Sequence, residues 1–217
     1  MKKYKILYID EERKELREFI RNFDQQFEVE TQLPGEDMDE MIRPVIDNTV
    51  DALIVDHSLS DYRIDVKVHI TYTGSDIIEE VKRRKNDFPC FILTSYDVDA
   101  AQNLGDVNDI YPKAMRNPEC KYGKLTLQET IRFQIEHYKN RIKEKKDRLC
   151  ELLEKNEKDG LSLVEENELL DIDNYLERTI AADKALPRIK KEEIAFEKIN
   201  ALIDFTKKLL ECLKEED

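Results

Sequence analysis

The sequence predicts an α/β fold, a doubly wound five-stranded parallel sheet, followed by an all-α helical hairpin or three-helix extension. Three observations carry this expectation. Short, nearly continuous apolar runs alternate with amphipathic stretches over the first half, as parallel strands covered on both faces require. Glycine and proline fall mostly before residue 124, with only Gly160 and Pro187 beyond it. From there Glu, Lys, Leu and Ile dominate, with apolar positions spaced four and three apart.

The first strand is "YKILYI" (4–9), followed by "EERKELREFIRNF", whose Leu16, Phe19, Ile20 and Phe23 share one helical face. "FEVETQL" (27–33) alternates as a strand near a sheet edge does. "EDMDEMIRPVIDN" (36–48) reads as a helix whose last turns Pro44 should disturb. Strand "DALIVD" (51–56), helix "SDIIEEVKRRK" (75–85), strand "CFILTS" (90–95) and strand "DIYPK" (109–113) complete the alternation. Between Asp56 and Gly74 the connection far exceeds the ~2–6 residues of an ordinary βα loop. Within that 61–73 insertion, "VKVHITY" alternates well enough for an extra strand, a lid or a docking element.

The composition shift near 117–124 ("NPECKYGK") divides the chain into an expected α/β domain, 1–118, and a helical domain, 119–217. From Leu125 a long helix carries Ile131, Ile135, Tyr138, Ile142, Leu149, Leu152 and Asn156 along one seam, interrupted at Lys145. Gly160 ends it, "SLVE" (162–165) matches a capping box for a second helix to about Ala182, and Pro187 begins a third. Such a coiled-coil-like seam serves either packing within the chain or a homodimer; the heptad rule does not separate them, and the unmatched length of the seam leans toward a homodimer.

Several function classes are disfavoured by composition. A formal net charge of −13 lacks the basic footprint of non-specific nucleic-acid binding. The best helix-turn-helix candidate, "NYLERTIAADKAL", offers only Arg178 and Lys184 against Glu177 and Asp183, so DNA binding is not expected. Cys90, Cys120, Cys150 and Cys212 are scattered without a C-x-x-C pair, consistent with reduced thiols in a cytoplasmic protein. The apolar run Ile6–Ile9 stops at Asp10-Glu11-Glu12 and is no signal peptide, and nothing approaches the ~18 apolar residues of a membrane span.

The strand ends carry the chemistry. In a doubly wound sheet, sites form outside the carboxyl ends of the strands, and there lie Asp10, Glu11, Asp56, Thr94 and Lys113. Clustered carboxylates raise one another's pKa unless a cation intervenes. Two or three oxygen ligands with open water positions suit Mg²⁺, and Lys113 adds a second positive charge. At ~4 Å and an effective dielectric of ~20, one such pair contributes about 4 kcal/mol before desolvation.

Across residues 4–116 these segments resemble the receiver domains of two-component response regulators. The resemblance rests on "ILYIDEE", "LIVDHSLSD", "FPCFILTS" and "DIYPK" in order, with "TGSDIIEEVKRR" like the helix after the phosphoacceptor loop. It implies that Asp56 accepts a phosphoryl group from a histidine kinase or phosphotransfer protein. It implies too that Asp10, Glu11, Asp56 and the Ser58 carbonyl bind Mg²⁺, and that Thr94 and Lys113 contact the phosphoryl oxygens. The chain departs from the family at Glu11 (usually Asp), Ser60 and Ala114 (usually Pro), and Ile110, where a switch aromatic is frequent and Tyr111 is one place away. These departures bear on the Thr–aromatic switch more than on phosphorylation.

The expectation is therefore a signalling protein, not an enzyme acting on a metabolite, with output through a helical dimerisation or partner-binding module. A phosphorylation-independent receiver-like scaffold is the alternative. A Mg²⁺-dependent phosphohydrolase using Asp10 or Asp56 is the third reading, opposed by the lack of D-x-D spacing after Asp10.

Overall fold

A computed structural model of the chain describes residues 3–59, 70–95, 110–121 and 124–180. Five strands, β1 (Tyr4–Ile9), β2 (Phe27–Gln32), β3 (Ala52–Asp56), β4 (Cys90–Thr94) and β5 (Ile110–Pro112), form one sheet. Their order is β2-β1-β3-β4-β5 and every pairing is parallel. This is the flavodoxin-like winding that receivers share, and it places the topological switch point between β1 and β3.

Helices α1 (Arg13–Phe23), α2 (Met38–Ile46) and α3 (Gly74–Arg84) cover the sheet. On one face, Ile6, Tyr8, Ala52, Ile54, Phe91, Leu93 and Tyr111 form a single core with Leu16, Phe19 and Phe23 of α1. The first turns of a later helix, α4 (Leu127–Lys158), add Leu127, Ile131 and Ile135 to that core. The alternate strand residues Leu7, Ile9, Leu53, Val55, Cys90 and Ile92 are buried on the other face. Here α3 lies against β3 and β4 and also touches α2. Of the predicted α1 stripe, Leu16, Phe19 and Phe23 are buried, whereas Ile20 lies at the border and is exposed.

Pro44 sits inside α2, where it has no N–H to give to the Glu40 carbonyl one turn back, and the helix ends two residues later at Ile46. The turn that follows is held by a fully buried lysine. Lys85 Nζ donates to the Val45 carbonyl at 2.7 Å and to the Asn48 side chain, where Asn48 takes a positive φ of 56°. A cation at the C-terminal end of a helix meets its partial negative charge.

By internal contacts the chain divides into two compact units, Met1–Lys139 and Asn140–Asp217. The shift in composition comes earlier, because the first turns of α4 belong to the core of the first unit. In the second unit, Leu149, Leu152 and Leu153 of α4 pack with Leu169, Ile172 and Leu176 of α5 (Leu163–Ile180). Gly160, at φ 77°, makes the turn between them. The capping box at the start of α5 forms as predicted: Ser162 N donates to Glu165 Oε2 at 3.0 Å, and Glu165 N donates back to Ser162 Oγ at 3.4 Å. Arg148 adds a two-pronged pair with Glu168, at 2.9 and 2.8 Å.

The long seam of α4 is thus buried within the chain, Ile131 and Ile135 in the first unit and Leu149 and Leu152 in the second. The third helix expected from Pro187 lies outside the described residues, as does most of the 61–73 insertion. Residues 70–73 form no regular element, and the Tyr72 hydroxyl donates to the Gly35 carbonyl. No described helix is long and apolar enough to cross a membrane.

Candidate functional site

The carboxyl ends of β1, β3, β4 and β5 bring the predicted residues to one rim. Asp10 follows β1 directly, Asp56 is the last residue of β3, and Thr94 is the last of β4. Register fixes their relation: Asp56 pairs with Leu93, and Thr94 pairs with Pro112, the residue before Lys113. Asp10, Asp56 and Thr94 are all at most 3% exposed, and Glu11 is 6% exposed. Ser58, two residues past Asp56, is half-buried.

Lys113 bridges the two aspartates. Its Nζ lies 3.0 Å from Asp10 Oδ2 and 3.0 Å from Asp56 Oδ1. Two further donors act on Asp10: the Glu12 backbone N–H reaches Oδ1 at 2.8 Å, and the Tyr8 hydroxyl reaches Oδ2. Lys113 begins a short 3₁₀ turn, Lys113–Arg116. Arg116 steadies that turn by donating from Nε to the Lys113 carbonyl at 3.0 Å while its guanidinium pairs with Glu15 of α1.

One ammonium faces three carboxylates. Carboxylate oxygens of Asp10, Glu11 and Asp56 come within 4.8 Å of one another. Burial pushes the Glu11 carboxyl up to about 8, and the charges of Asp56 and Asp10 add to the rise. Burial also raises Asp56, with Asp10 reinforcing it and Lys113 opposing it. For Lys113, burial acts to lower the pKa, but the charges of Asp56 and Asp10 outweigh it and the ammonium is favoured.

The cluster fits a small divalent cation. Glu11 Oε2 is buried without a hydrogen-bond partner, an orphaned oxygen beside two more carboxylates. Hard oxygen donors with an excess of negative charge are the donor set Mg²⁺ takes.

Some contributors were missed in the sequence. Gly74 opens α3 directly against the site: a Cβ there would stand 2.1 Å from the Asp56 carbonyl oxygen, and its N–H donates to the His57 carbonyl at 3.1 Å. Only its position at the start of a helix after a polar loop hinted at this. The sequence does not single out Tyr8, which lies within the apolar run of β1, or Arg116, three residues past Lys113. Tyr111 does not stand as a solvent-facing aromatic; its ring is buried and tilts against Phe91 at 5.9 Å. Ile110 is buried as well.

No family model and no curated protein matches the chain. Among solved structures, it is similar to an adenylate cyclase from Rhodopirellula baltica, 19% identical, covering 67% of this chain and 96% of that one, with a TM-score of 0.45. It is also similar to a CheY-like receiver domain protein from Methanospirillum hungatei JF-1, 13% identical, covering 64% and 99%, with a TM-score of 0.43. A third similar structure is the RcsB response regulator of Salmonella typhimurium, 18% identical, covering 95% and 99%, with a TM-score of 0.39. At these values the receiver-type fold rests on the strand order of the chain itself.

Proposed function

We propose that the chain is a cytoplasmic two-component signal-transduction protein. Its receiver, about residues 1–118, takes a phosphoryl group on Asp56 from a histidine kinase or phosphotransfer protein, and residues 119–217 form the output module. The observation that carries this reading is Lys113 Nζ at 3.0 Å from both Asp10 and Asp56, with Glu11 in the same carboxylate cluster.

The chemistry follows from these positions. A carboxylate oxygen of Asp56 forms the O–P bond as the P–N bond of a phosphohistidine breaks, and the imidazole leaves with the bonding pair. Lys113 opposes the burial that raises Asp56, which favours the ionised nucleophile. It also stands where a phosphoryl oxygen on Asp56 would need a cation. Thr94, one residue beyond the partner of Asp56 on β4, supplies a hydroxyl for a second oxygen. Mg²⁺, held by Asp10, Glu11, Asp56 and the Ser58 carbonyl, would add positive charge for the remaining oxygens. The protein positions and stabilises, as in other phosphoryl transfers, and turns over no external metabolite. Because the α4 seam is buried within the chain, partner binding is favoured over dimerisation along that seam.

The test uses phosphoramidate, a small donor with a P–N bond, with Mg²⁺. One added phosphoryl group by intact mass, absent in Asp56→Asn, is the expected result; no modification of the wild type would contradict the reading.

A phosphorylation-independent scaffold is the second reading. It is favoured by the burial of Ile110 and of the Tyr111 ring, which packs against Phe91, so that β5 presents no exposed aromatic ring among the described residues. Wild-type protein that binds a partner equally with and without phosphoryl donor would support it.

A further inference from the structure

The remaining feature of the site is a hydroxyl in an otherwise apolar core. On the face of the sheet that meets α1, Tyr8 belongs to the same core as Ile6, Ala52, Ile54, Phe91 and Leu93, and it pairs with Ile54 of β3. Tyr8 is fully buried and its ring stacks on Phe19, with centroids 4.2 Å apart. A phenylalanine would pack the same way. The hydroxyl, which must find a partner when buried, donates to Asp10 Oδ2.

Asp10 therefore has donors on both oxygens. Glu12 N–H holds Oδ1 at 2.8 Å, while Tyr8 and Lys113 share Oδ2, with Nζ at 3.0 Å. Of the three, Lys113 is the one whose loyalty is divided, since its Nζ also lies 3.0 Å from Asp56 Oδ1. Any new negative charge at Asp56 draws Lys113 toward it and away from Asp10. The Glu12 amide and the Tyr8 hydroxyl are then the donors left to keep the Asp10 carboxylate turned into the acidic cluster.

We infer that Tyr8 is a positioning residue: its hydroxyl fixes the orientation of the Asp10 carboxylate for the divalent cation, independently of where Lys113 points. This rests on the metal reading of the Asp10, Glu11 and Asp56 cluster given above. Hydrogen bonds to a metal-ligating carboxylate orient it, and their loss lowers metal affinity by about tenfold or more.

The experiment is Tyr8→Phe, which removes one oxygen and keeps the stacking ring. Two readouts are taken on the full chain: Mg²⁺ titration by thermal shift, and amide hydrogen exchange in the metal-free protein. Mg²⁺ affinity is expected to fall about tenfold. The Glu12 amide, whose acceptor is Asp10 Oδ1, is expected to exchange faster, while sheet amides such as Leu7 and Ile54 keep their wild-type rates and report an intact fold. Unchanged exchange at Glu12, or unchanged Mg²⁺ affinity where wild type binds the ion, overturns the inference. A wild type that binds no Mg²⁺, with faster Glu12 exchange in the variant, instead overturns the metal reading and leaves the positioning role standing.

Discussion

Lys113 Nζ lies 3.0 Å from Asp56 Oδ1, although the two residues come from separate strand ends with β4 between them in the sheet. The same nitrogen stands 3.0 Å from Asp10 Oδ2, so a single cation ties β5 to both β1 and β3. Without it, three buried carboxylates face one another. Lys113→Met keeps the apolar stem and removes the charge. In metal-free protein at neutral pH it is expected to cost about 3 kcal/mol by urea denaturation, the range for breaking a buried ion pair. The loss should shrink in acid, where the carboxylates protonate, and a cost that does not vary with pH would contradict this account.

The same crowding gives the metal-free protein an unusual pH dependence. Glu11 is raised from 4.5 to about 8 by burial, with Asp56 and Asp10 adding to the rise. Between those values the folded state holds a proton that the unfolded state has lost, so stability falls as pH rises. The raised Asp56 acts in the same direction. Melting temperatures in a chelating buffer should decline from mild acid to about pH 8. Adding Mg²⁺ should flatten the decline, since the ion favours the ionised cluster and its binding releases protons.

Gly74 makes the junction between the site and α3. Alanine at this position would drive a Cβ to 2.1 Å from the Asp56 carbonyl oxygen, a backbone atom with little room to give. Gly74→Ala is expected to destabilise by about 2 kcal/mol or more, as overpacking does. It should also weaken phosphoryl analogue binding, because the displaced atom belongs to the phosphoacceptor. Glu79→Ala, at an exposed position of the same helix, is the control expected to leave both nearly unchanged.

Lys85, which follows the last residue of α3, is a structural charge. Its Nζ, fully buried, donates to the Val45 carbonyl at 2.7 Å and to the Asn48 side chain. Lys85→Met leaves the end of α2 without those donors and is expected to cost about 2 kcal/mol, the penalty for a buried acceptor deprived of its partner. Unlike the Lys113 substitution, it should not alter Mg²⁺ affinity.

Much of this arrangement was legible in the sequence because it depends on local pattern. Apolar runs ending in a charged or hydroxyl residue located β1, β3 and β4 to within a residue, and the parallel winding then brought Asp10, Glu11, Asp56, Thr94 and Lys113 together. Ser162 and Glu165 announced α5 through a three-residue spacing that the structure reproduces. What stayed hidden depends on contacts between distant segments. The hydroxyl of Tyr8 has meaning only once its ring lies on Phe19 and its oxygen at Asp10. Gly74 matters because α3 starts against the end of β3. The seam of α4 reads in sequence as one stripe with a single gap at Lys145, yet it is divided between two cores.

The most direct measurement is beryllofluoride binding with Mg²⁺, read by thermal shift on wild type and Asp56→Asn. Beryllofluoride on a carboxylate mimics the acyl phosphate. Wild type is expected to be stabilised in a way that requires Mg²⁺ and vanishes in Asp56→Asn. No shift in either protein would contradict this, leaving a receiver fold whose acidic cluster does not take phosphate.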